Sequence, residues 1–185
     1  MKKLFEVNTK TIVASALGAA IFTLLFMYVK IPSPIPNTSI QTAYGVSAFF
    51  AYLFGPIAGG LISFIGHALN DSIQYGSVWW SWVIASALSG FGFGFAYRQS
   101  RIEEGIFGKK DIIRFNVIQV IVNAIAWLLV APTLDVLIYS ESANLVYTQG
   151  VLAALSNAIS TGIIGTLLLV AYSKTKTKEG SLSKK

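Results

Sequence analysis

The stretch TIVASALGAAIFTLLFMYV, residues 11–29, contains no charged side chain. A helix that crosses the hydrocarbon core of a bilayer needs about 20 mainly apolar residues, and this run is long enough to do so. The whole chain has the same character, because 54% of its residues are hydrophobic and only 12% are charged. A soluble domain carries about twice that charged fraction. The sequence therefore predicts an integral membrane protein.

Five further apolar segments follow the first, and together they predict an all-α membrane domain of six helices. The segments cover 40–54, 56–71, 79–97, 112–131 and 147–172, and a basic tail occupies 173–185. Gly55 and Pro56 separate the second segment from the third. Gly-Pro is a turn signal, and proline is accepted in the first turn of a helix, so 40–71 is predicted to be a helical hairpin.

The basic residues are unevenly distributed over the predicted loops. Thirteen of the 14 Lys and Arg residues fall on the side that holds both termini, and only Lys30 falls on the other. Loops that are rich in Lys and Arg remain in the cytoplasm, so we predict that both termini of this multi-pass protein of the cell membrane are cytoplasmic. The positive charge is then a signal of topology beside the lipid bilayer, and we expect no nucleic-acid partner.

Polar side chains inside the spans form stripes at helical spacing. The third, fifth and sixth spans each carry one: Ser63, His67, Asn70, Asp71 and Gln74; Asn116, Gln119, Asn123 and Trp127; Gln149, Ser156, Asn157 and Ser160. Because buried polar groups are costly in lipid, each stripe needs a reason. In the inner half we favour hydrogen bonds between helices for Asn116, Gln119 and Ser160. In the outer half we favour a ligand site, formed by Asn123, Trp127, Gln149 and Asn157.

Two aromatic and proline-rich stretches lie beside this predicted site. Trp79, Trp80 and Trp82 begin the fourth span, where tryptophan ordinarily belongs to an interfacial belt. At 100° per residue the three cannot share one face, so we expect one or two to face inward and to stack on a planar ligand. Alternating prolines in 30–39 favour an extended segment that could act as a lid.

His67 is the only histidine and the chain has no cysteine, so we expect no metal, no cofactor and no catalytic residue. A structural role for His67 is favoured, and Asp71 could cap a turn or contact a ligand. Two alternatives to a binding subunit stay open: a membrane enzyme that uses His67 and Asp71 as a base pair, and a self-sufficient small-molecule carrier. No GxxxxGK[ST] motif is present, so any ATP hydrolysis must occur on partners.

Small residues four apart mark close helix contacts in the first span. Ala14 pairs with Gly18, and Ala16 pairs with Ala20. Packing within the bundle and docking to another membrane protein both explain such a pattern, and composition does not separate them.

Four long stretches closely resemble one membrane-protein family: LFGPIAGGLISFIGHALND (53–71), YGSVWWSWVIAS (75–86), NAIAWLLVAPTLDVLIYSE (123–141) and GTLLLVAYSKTKTKEGSLSKK (165–185). They are similar to an uncharacterised group of substrate-binding S components of energy-coupling factor (ECF) transporters, of the riboflavin type. The resemblance covers nearly the whole chain. It implies a six-helix protein that binds a vitamin or related micronutrient from outside and docks on a membrane coupling subunit with two cytoplasmic ATPases.

The resemblance also implies site residues. The pocket would be built from helices four to six and closed by residues 30–39. Ligand contacts would come from Asn37, Trp79, Trp80, Asn123, Trp127 and Asn157, with Asp71, Gln74 and Tyr75 nearby, while Ala16 and Ala20 match the family's Ala-xxx-Ala docking motif. Members of the wider group serve riboflavin, pyridoxine, hydroxymethylpyrimidine and other compounds, so the resemblance leaves the substrate open.

Overall fold

The computed structural model describes residues 4–176, except for the side chains of Arg98 and Gln99. Within this range the chain forms six main helices and one short hairpin. The helices are α1 (Thr9–Tyr28), α2 (Ala43–Phe54), α3 (Pro56–Tyr75), α4 (Trp80–Phe93), α5 (Lys109–Tyr139) and α6 (Ala143–Thr175). The strands β1 (Lys30–Pro32) and β2 (Ser39–Gln41) pair antiparallel between α1 and α2. The prediction of an all-α six-helix bundle is confirmed.

Three of the described helices are long and apolar enough to cross a membrane by themselves: α1, α5 and α6. At a rise of 1.5 Å per residue, α2 is only about 18 Å long and cannot span the hydrocarbon core alone. It instead lies at the centre of the bundle, where Ala43, Ala48 and Ala51 are fully buried. The basic tail was predicted to begin at 173, but α6 continues to Thr175, and residues 177–185 lie outside the described residues.

The helix ends differ from the predicted spans for local reasons. The hairpin takes up residues 39–41, so α2 begins three residues later than predicted. Helix α3 continues past its predicted end to Tyr75. Gly76 follows in a left-handed conformation with φ of 73° and terminates the helix. After Phe93 the α-helix of α4 tightens into a 3₁₀ segment, Gly94–Gln99.

The prediction that the fifth helix ends at 131 was wrong. Helix α5 passes through Pro132 and ends at Tyr139, where Ser140 is left-handed with φ of 57°. A π-helical stretch, Ile125–Val130, precedes the proline, and its backbone bonds run from residue i to i−5. Such a local change of helix type absorbs the missing N–H of the proline, which is how membrane helices tolerate it. The helix therefore carries Asp135 on its last turns.

Glycines allow α3 and α4 to cross in backbone contact. A Cβ added to Gly59 would lie 2.1 Å from the carbonyl oxygen of Gly90, and one added to Gly90 would lie equally close to that of Gly59. The small-residue positions in the fourth span are thus explained by packing within the bundle. In α1 the two small-residue pairs separate: Ala14 and Gly18 are buried, whereas Ala16 and Ala20 are exposed.

The hairpin forms one wall above the bundle, at the end distant from the start of α1 at Thr9 and the end of α6 at Thr175. Its register pairs Lys30 with Gln41, and the hydroxyl of Thr42 donates to the carbonyl of Val29 at 2.7 Å, which closes its base. Asn37 occupies the connecting turn with φ of 55°, a left-handed conformation that asparagine accepts more easily than most residues. At the opposite end of the bundle Glu103 pairs with Lys176 at 2.7 Å.

Candidate functional site

A cavity of about 620 Å³ lies between the hairpin and the outer ends of α3 to α6. Seven of the ten sequence-predicted ligand contacts line it: Asn37, Asp71, Tyr75, Trp79, Trp127, Gln149 and Asn157. The segment between β1 and β2 supplies a continuous part of the wall, including Pro34 and Pro36. The hairpin thus stands where the sequence predicted a lid.

The floor of the cavity is aromatic. Trp127 is 1% exposed, and its ring packs against that of Trp82 with centroids 5.8 Å apart and planes at 22°. The ring of Tyr44 meets Trp127 edge-on at 5.2 Å. Helix α6 packs directly against the backbone of Trp127, since a Cβ added to Gly150 would lie 2.3 Å from the Trp127 carbonyl oxygen. Because Trp127 and Tyr44 are almost wholly buried, a flat ligand would meet mainly the partly exposed ring of Trp82 on this floor.

Asp135 holds two tryptophans of the cavity wall. Its carboxylate accepts hydrogen bonds from the indole N–H groups of Trp79 and Trp82, the latter at 2.9 Å, and from the hydroxyl of Ser81. The aspartate is 2% exposed, so these three neutral donors supply most of its solvation. Asp135 therefore fixes the orientation of Trp79 and Trp82 toward the cavity.

A second polar network lies between α2, α3 and α4. The hydroxyl of Ser86 is 2.7 Å from the Tyr44 hydroxyl and 2.6 Å from Nδ1 of His67. Nε2 of His67 is 3.5 Å from Oδ1 of Asp71, and Oδ2 of Asp71 accepts the backbone N–H of Trp79 at 3.1 Å. Asp71 thus accepts a backbone N–H at the start of α4 and also lines the cavity, and its contact with a ligand stays a prediction.

Several amides at the cavity have unused hydrogen-bonding groups. Gln41, Asn70 and Asn157 line the cavity and are less than a tenth exposed. The amide oxygen of each is buried and has no hydrogen-bond partner among residues 4–176. An unpaired buried amide is costly, so these groups are available to a polar ligand.

Three predicted site residues lie outside the cavity wall. Trp80 is 46% exposed and stacks on Phe64 with centroids 6.1 Å apart, as an interfacial tryptophan does. Gln74 accepts a hydrogen bond from Nζ of Lys30 at 2.8 Å and ties α3 to the base of the hairpin. Asn123 is fully buried beneath Trp127. Of the three tryptophans at 79–82, Trp79 and Trp82 face the cavity.

The inner polar stripe joins helices, as predicted. The amide of Gln119 donates to the carbonyl of Ala158 at 3.1 Å, and the amide of Asn116 donates to the hydroxyl of Thr166 at 3.0 Å. Ser160 donates to the carbonyl of Gln41 at 2.7 Å. These bonds fix α6 against α5 and against the end of the hairpin.

Sequence reasoning missed Asp135 and Tyr44. Asp135 lies eight residues after Trp127, which is about 80° away around an ideal α-helix, so it does not extend the stripe of Asn116, Gln119, Asn123 and Trp127. The fifth span was moreover predicted to end at 131. Tyr44 has no sequence signal either, because it lies in an apolar span and its partner Ser86 is 42 residues away.

The chain matches a family model described as "ECF-type riboflavin transporter, S component" over residues 6–174. A UPF0397 protein of Lactococcus lactis subsp. cremoris is 52% identical over 177 residues, which cover 96% of this chain and 97% of the relative. A UPF0397 protein of Exiguobacterium sp. is 54% identical over the same length, with the same coverage.

A solved structure shares the fold. The crystal structure of FolT bound with folic acid superimposes with a TM-score of 0.63 at 13% sequence identity, and the match covers 94% of this chain and 98% of FolT. The family match argues against the alternative of a membrane enzyme that uses His67 and Asp71, because an S component is a transport subunit. This multi-pass membrane chain therefore belongs to the S component family of ECF-type riboflavin transporters and is a substrate-binding transport subunit rather than an enzyme.

Proposed function

We propose that this subunit captures a small planar micronutrient, comparable in size to a vitamin such as riboflavin, pyridoxine or hydroxymethylpyrimidine, and passes it to an ATP-driven importer. The observation that carries the proposal is the cavity: a floor of Trp82, Trp127 and Tyr44 lies below unpaired amides and a proline-rich hairpin. Sites for small ligands combine apolar walls with a few placed polar groups in this way.

Ligand entry is proposed from the cell exterior. By sequence, 13 of the 14 basic residues fall in the predicted cytoplasmic loops and terminal segments, and loops with this composition remain cytoplasmic. The hairpin supports the role of a gate, because among the described residues its tip has one side-chain bond to α6, from Nε2 of Gln149 to the carbonyl of Pro36 at 2.8 Å. The hydroxyl of Ser160 holds the base of the hairpin through the carbonyl of Gln41. Moving the tip away from α6 would therefore break one side-chain hydrogen bond.

Docking on the coupling subunit is proposed for the exposed face of α1. Ala16 and Ala20 lie on this face, and their small side chains would let another helix approach closely. The buried pair, Ala14 and Gly18, already serves contacts within the bundle: a Cβ at Gly18 would lie 2.5 Å from the side chain of Ile62. The two ATPases would then act through the coupling subunit.

Purification of the full chain, followed by mass spectrometry of what it releases on denaturation, tests the proposal. We expect an unchanged planar compound of low mass in about one copy per chain. Uptake of that compound into proteoliposomes should require the coupling subunit and ATPases. Uptake by this chain alone would instead favour a self-sufficient carrier, and a preparation that retains no small molecule would contradict the proposed function.

A further inference from the structure

We propose that the cavity selects a heteroaromatic ligand that carries a positive charge or several N–H donors, and that it rejects ligands with a phosphate or a carboxylate. The inference rests on the proposed function, because it names the chemical class of the ligand for the same cavity. Three independent features of the wall support it: the balance of charge, the aromatic faces and the groups that remain unpaired.

The charged side chains at the cavity are mainly acidic. The carboxylates of Asp71, Asp135 and Glu141 line it, against the single ammonium group of Lys30. Nζ of Lys30 donates to the side-chain oxygen of Gln74 at 2.8 Å, a neutral partner that leaves its charge in place, so the balance is three carboxylates against one ammonium group. Among the described lining residues there is no arginine. Because partly buried charges are screened less than exposed ones, an anionic ligand would be repelled here.

Hydrogen bonds stabilise the two buried carboxylates without cancelling their charge. Asp135 accepts only from indole and hydroxyl groups, all of them neutral. Asp71 accepts from the amide of Asn70 at 3.0 Å and from the backbone N–H of Trp79. His67 lies 3.5 Å away, and even in its protonated form it would leave three carboxylates against two cations. A cationic ligand is therefore attracted in either state of the histidine.

The aromatic floor also favours a cation. Trp127 and Tyr44 are each 1% exposed, so the ring surface open to a ligand comes mainly from Trp79 and Trp82, whose indole N–H groups are both held by Asp135. The face of an aromatic ring is negative, and a cation placed over it is attracted, most strongly by tryptophan. Carboxylates beside tryptophan rings form an environment for a charged or strongly polarised nitrogen.

Groups that would bind an anion are already occupied. Helix α4 begins at the cavity, but the backbone N–H of Trp79 donates to Asp71, and that of Trp80 donates to the hydroxyl of Tyr139 at 3.0 Å. The first amides of a helix are the usual anion site, and here the first two have protein partners. The buried side-chain atoms that remain unpaired at the described cavity wall are the amide oxygens of Gln41, Asn70 and Asn157, and an amide oxygen can only accept a hydrogen bond.

The test uses the full chain in detergent and three probes that share one ring: 1-methylnicotinamide, a permanent cation, nicotinamide, which is neutral, and nicotinate, an anion. Titration calorimetry and thermal shift are measured at pH 7. We expect the cation to bind at least about tenfold more tightly than the anion, with the neutral probe between them. The compound released from the purified protein should likewise contain a basic or quaternary nitrogen and no acidic group.

Two variants assign the preference to the carboxylates. Asp71→Asn and Glu141→Gln should each weaken binding of the cation by about threefold or more relative to binding of the neutral probe. Glu141 has no side-chain hydrogen bond among residues 4–176, so Glu141→Gln should fold normally. If Asp71→Asn fails to fold, Glu141→Gln alone tests the role of the carboxylates. Glu104→Gln is the matched control, because it removes a carboxylate from an exposed ion pair with Arg101 at the far end of the bundle.

An anionic released compound, an anion-selective panel, or a cation preference that both variants retain would overturn the inference and leave the proposed function intact. A chain that releases no small molecule and binds none of the three probes contradicts both. The two failures are thus distinguished by whether any ligand binds at all.

Discussion

The indole N–H of Trp127 donates to the side-chain oxygen of Asn123, one turn earlier in α5, at 2.9 Å. Asn123 in turn donates to the side-chain oxygen of Gln119 at 3.0 Å, and Gln119 donates to the carbonyl of Ala158 in α6. The aromatic floor of the cavity is therefore supported from below by a ladder of amides. Asn123, which the sequence suggested as a ligand contact, supports the tryptophan.

Replacing Asn123 by alanine should weaken ligand binding indirectly. The change leaves the buried indole N–H of Trp127 without a partner, which costs about 1–3 kcal/mol and lets the ring reorient. We expect a lower melting temperature and about tenfold weaker binding, whereas Trp127→Ala should weaken binding further by removing the ring face. Asn144→Ala, at an exposed position on α6, is the control. Unaltered affinity in both the Asn123 and the Trp127 variant would remove α5 from the site.

The carboxylate of Asp135 should matter for the geometry of the wall. In Asp135→Asn one carboxylate oxygen becomes an NH₂ group that must face an indole N–H or the Ser81 hydroxyl. Donor then meets donor, and at least one buried hydrogen bond is lost at a cost of about 1–3 kcal/mol. We expect a shift in tryptophan fluorescence, a lower melting temperature and weaker binding. Ser81→Ala removes only one of the three donors and should have a smaller effect; equal effects would contradict the proposed role of Asp135 as the anchor of two tryptophans.

Most of the fold could be predicted from sequence because membrane spans are encoded locally. A long apolar run specifies a helix whatever surrounds it, as residues 11–29 illustrate. The positions of helix ends depend less on local sequence. A proline ends most helices, but the π-helical stretch before Pro132 lets α5 continue. The strand at residues 39–41 depends on its pairing with Lys30–Pro32, which no pattern within either segment indicates.

The site was predictable only where a helical stripe carried polar side chains. Asn157 and Gln149 share such a stripe and do line the cavity. Trp80 and Trp82 could not be separated, because their orientation depends on where α4 meets α3 and α5. The role of Tyr44 follows from contacts with Ser86 and Trp127, which are distant in sequence, so tertiary packing alone brings it to the floor.

Gln149 is predicted to control the rate of ligand release. Its amide donates to the carbonyl of Pro36, the only side-chain bond from α6 to the tip of the hairpin among the described residues. In Gln149→Leu this bond is lost, so the hairpin should open more often and the dissociation rate should rise by about threefold to tenfold. Stopped-flow measurement with the released ligand provides the check. Thr148→Ala is the control, since its hydroxyl bonds only within α6, to the carbonyl of Asn144. Equal dissociation rates would show that the bond does not hold the gate.

The contact between Gly59 and Gly90 should tolerate no side chain. A Cβ at either position would lie 2.1 Å from the carbonyl oxygen of the other, and backbone cannot move aside as a flexible side chain can. Overpacking usually costs about 1–3 kcal/mol, and a backbone clash should exceed that range. We expect Gly59→Ala to give little folded protein after detergent extraction, judged by size-exclusion profile and melting temperature. Gly108→Ala is the control, because nothing lies within 4 Å of its added Cβ. Normal yield of Gly59→Ala would mean that α3 and α4 pack less closely.

Bulky residues on the exposed face of α1 should separate binding from transport. Ala16→Trp and Ala20→Trp project into the membrane, where they disturb nothing inside the bundle, so ligand affinity should stay within about twofold of the unmodified chain. Transport with the coupling subunit and ATPases should fall at least tenfold, because the large ring prevents close approach of a partner helix. Ala171→Trp places the same ring at an exposed position of α6 and should transport normally. Transport that persists in both α1 variants would place the docking surface elsewhere, and loss of ligand binding in either would mean that the ring disturbs the bundle itself.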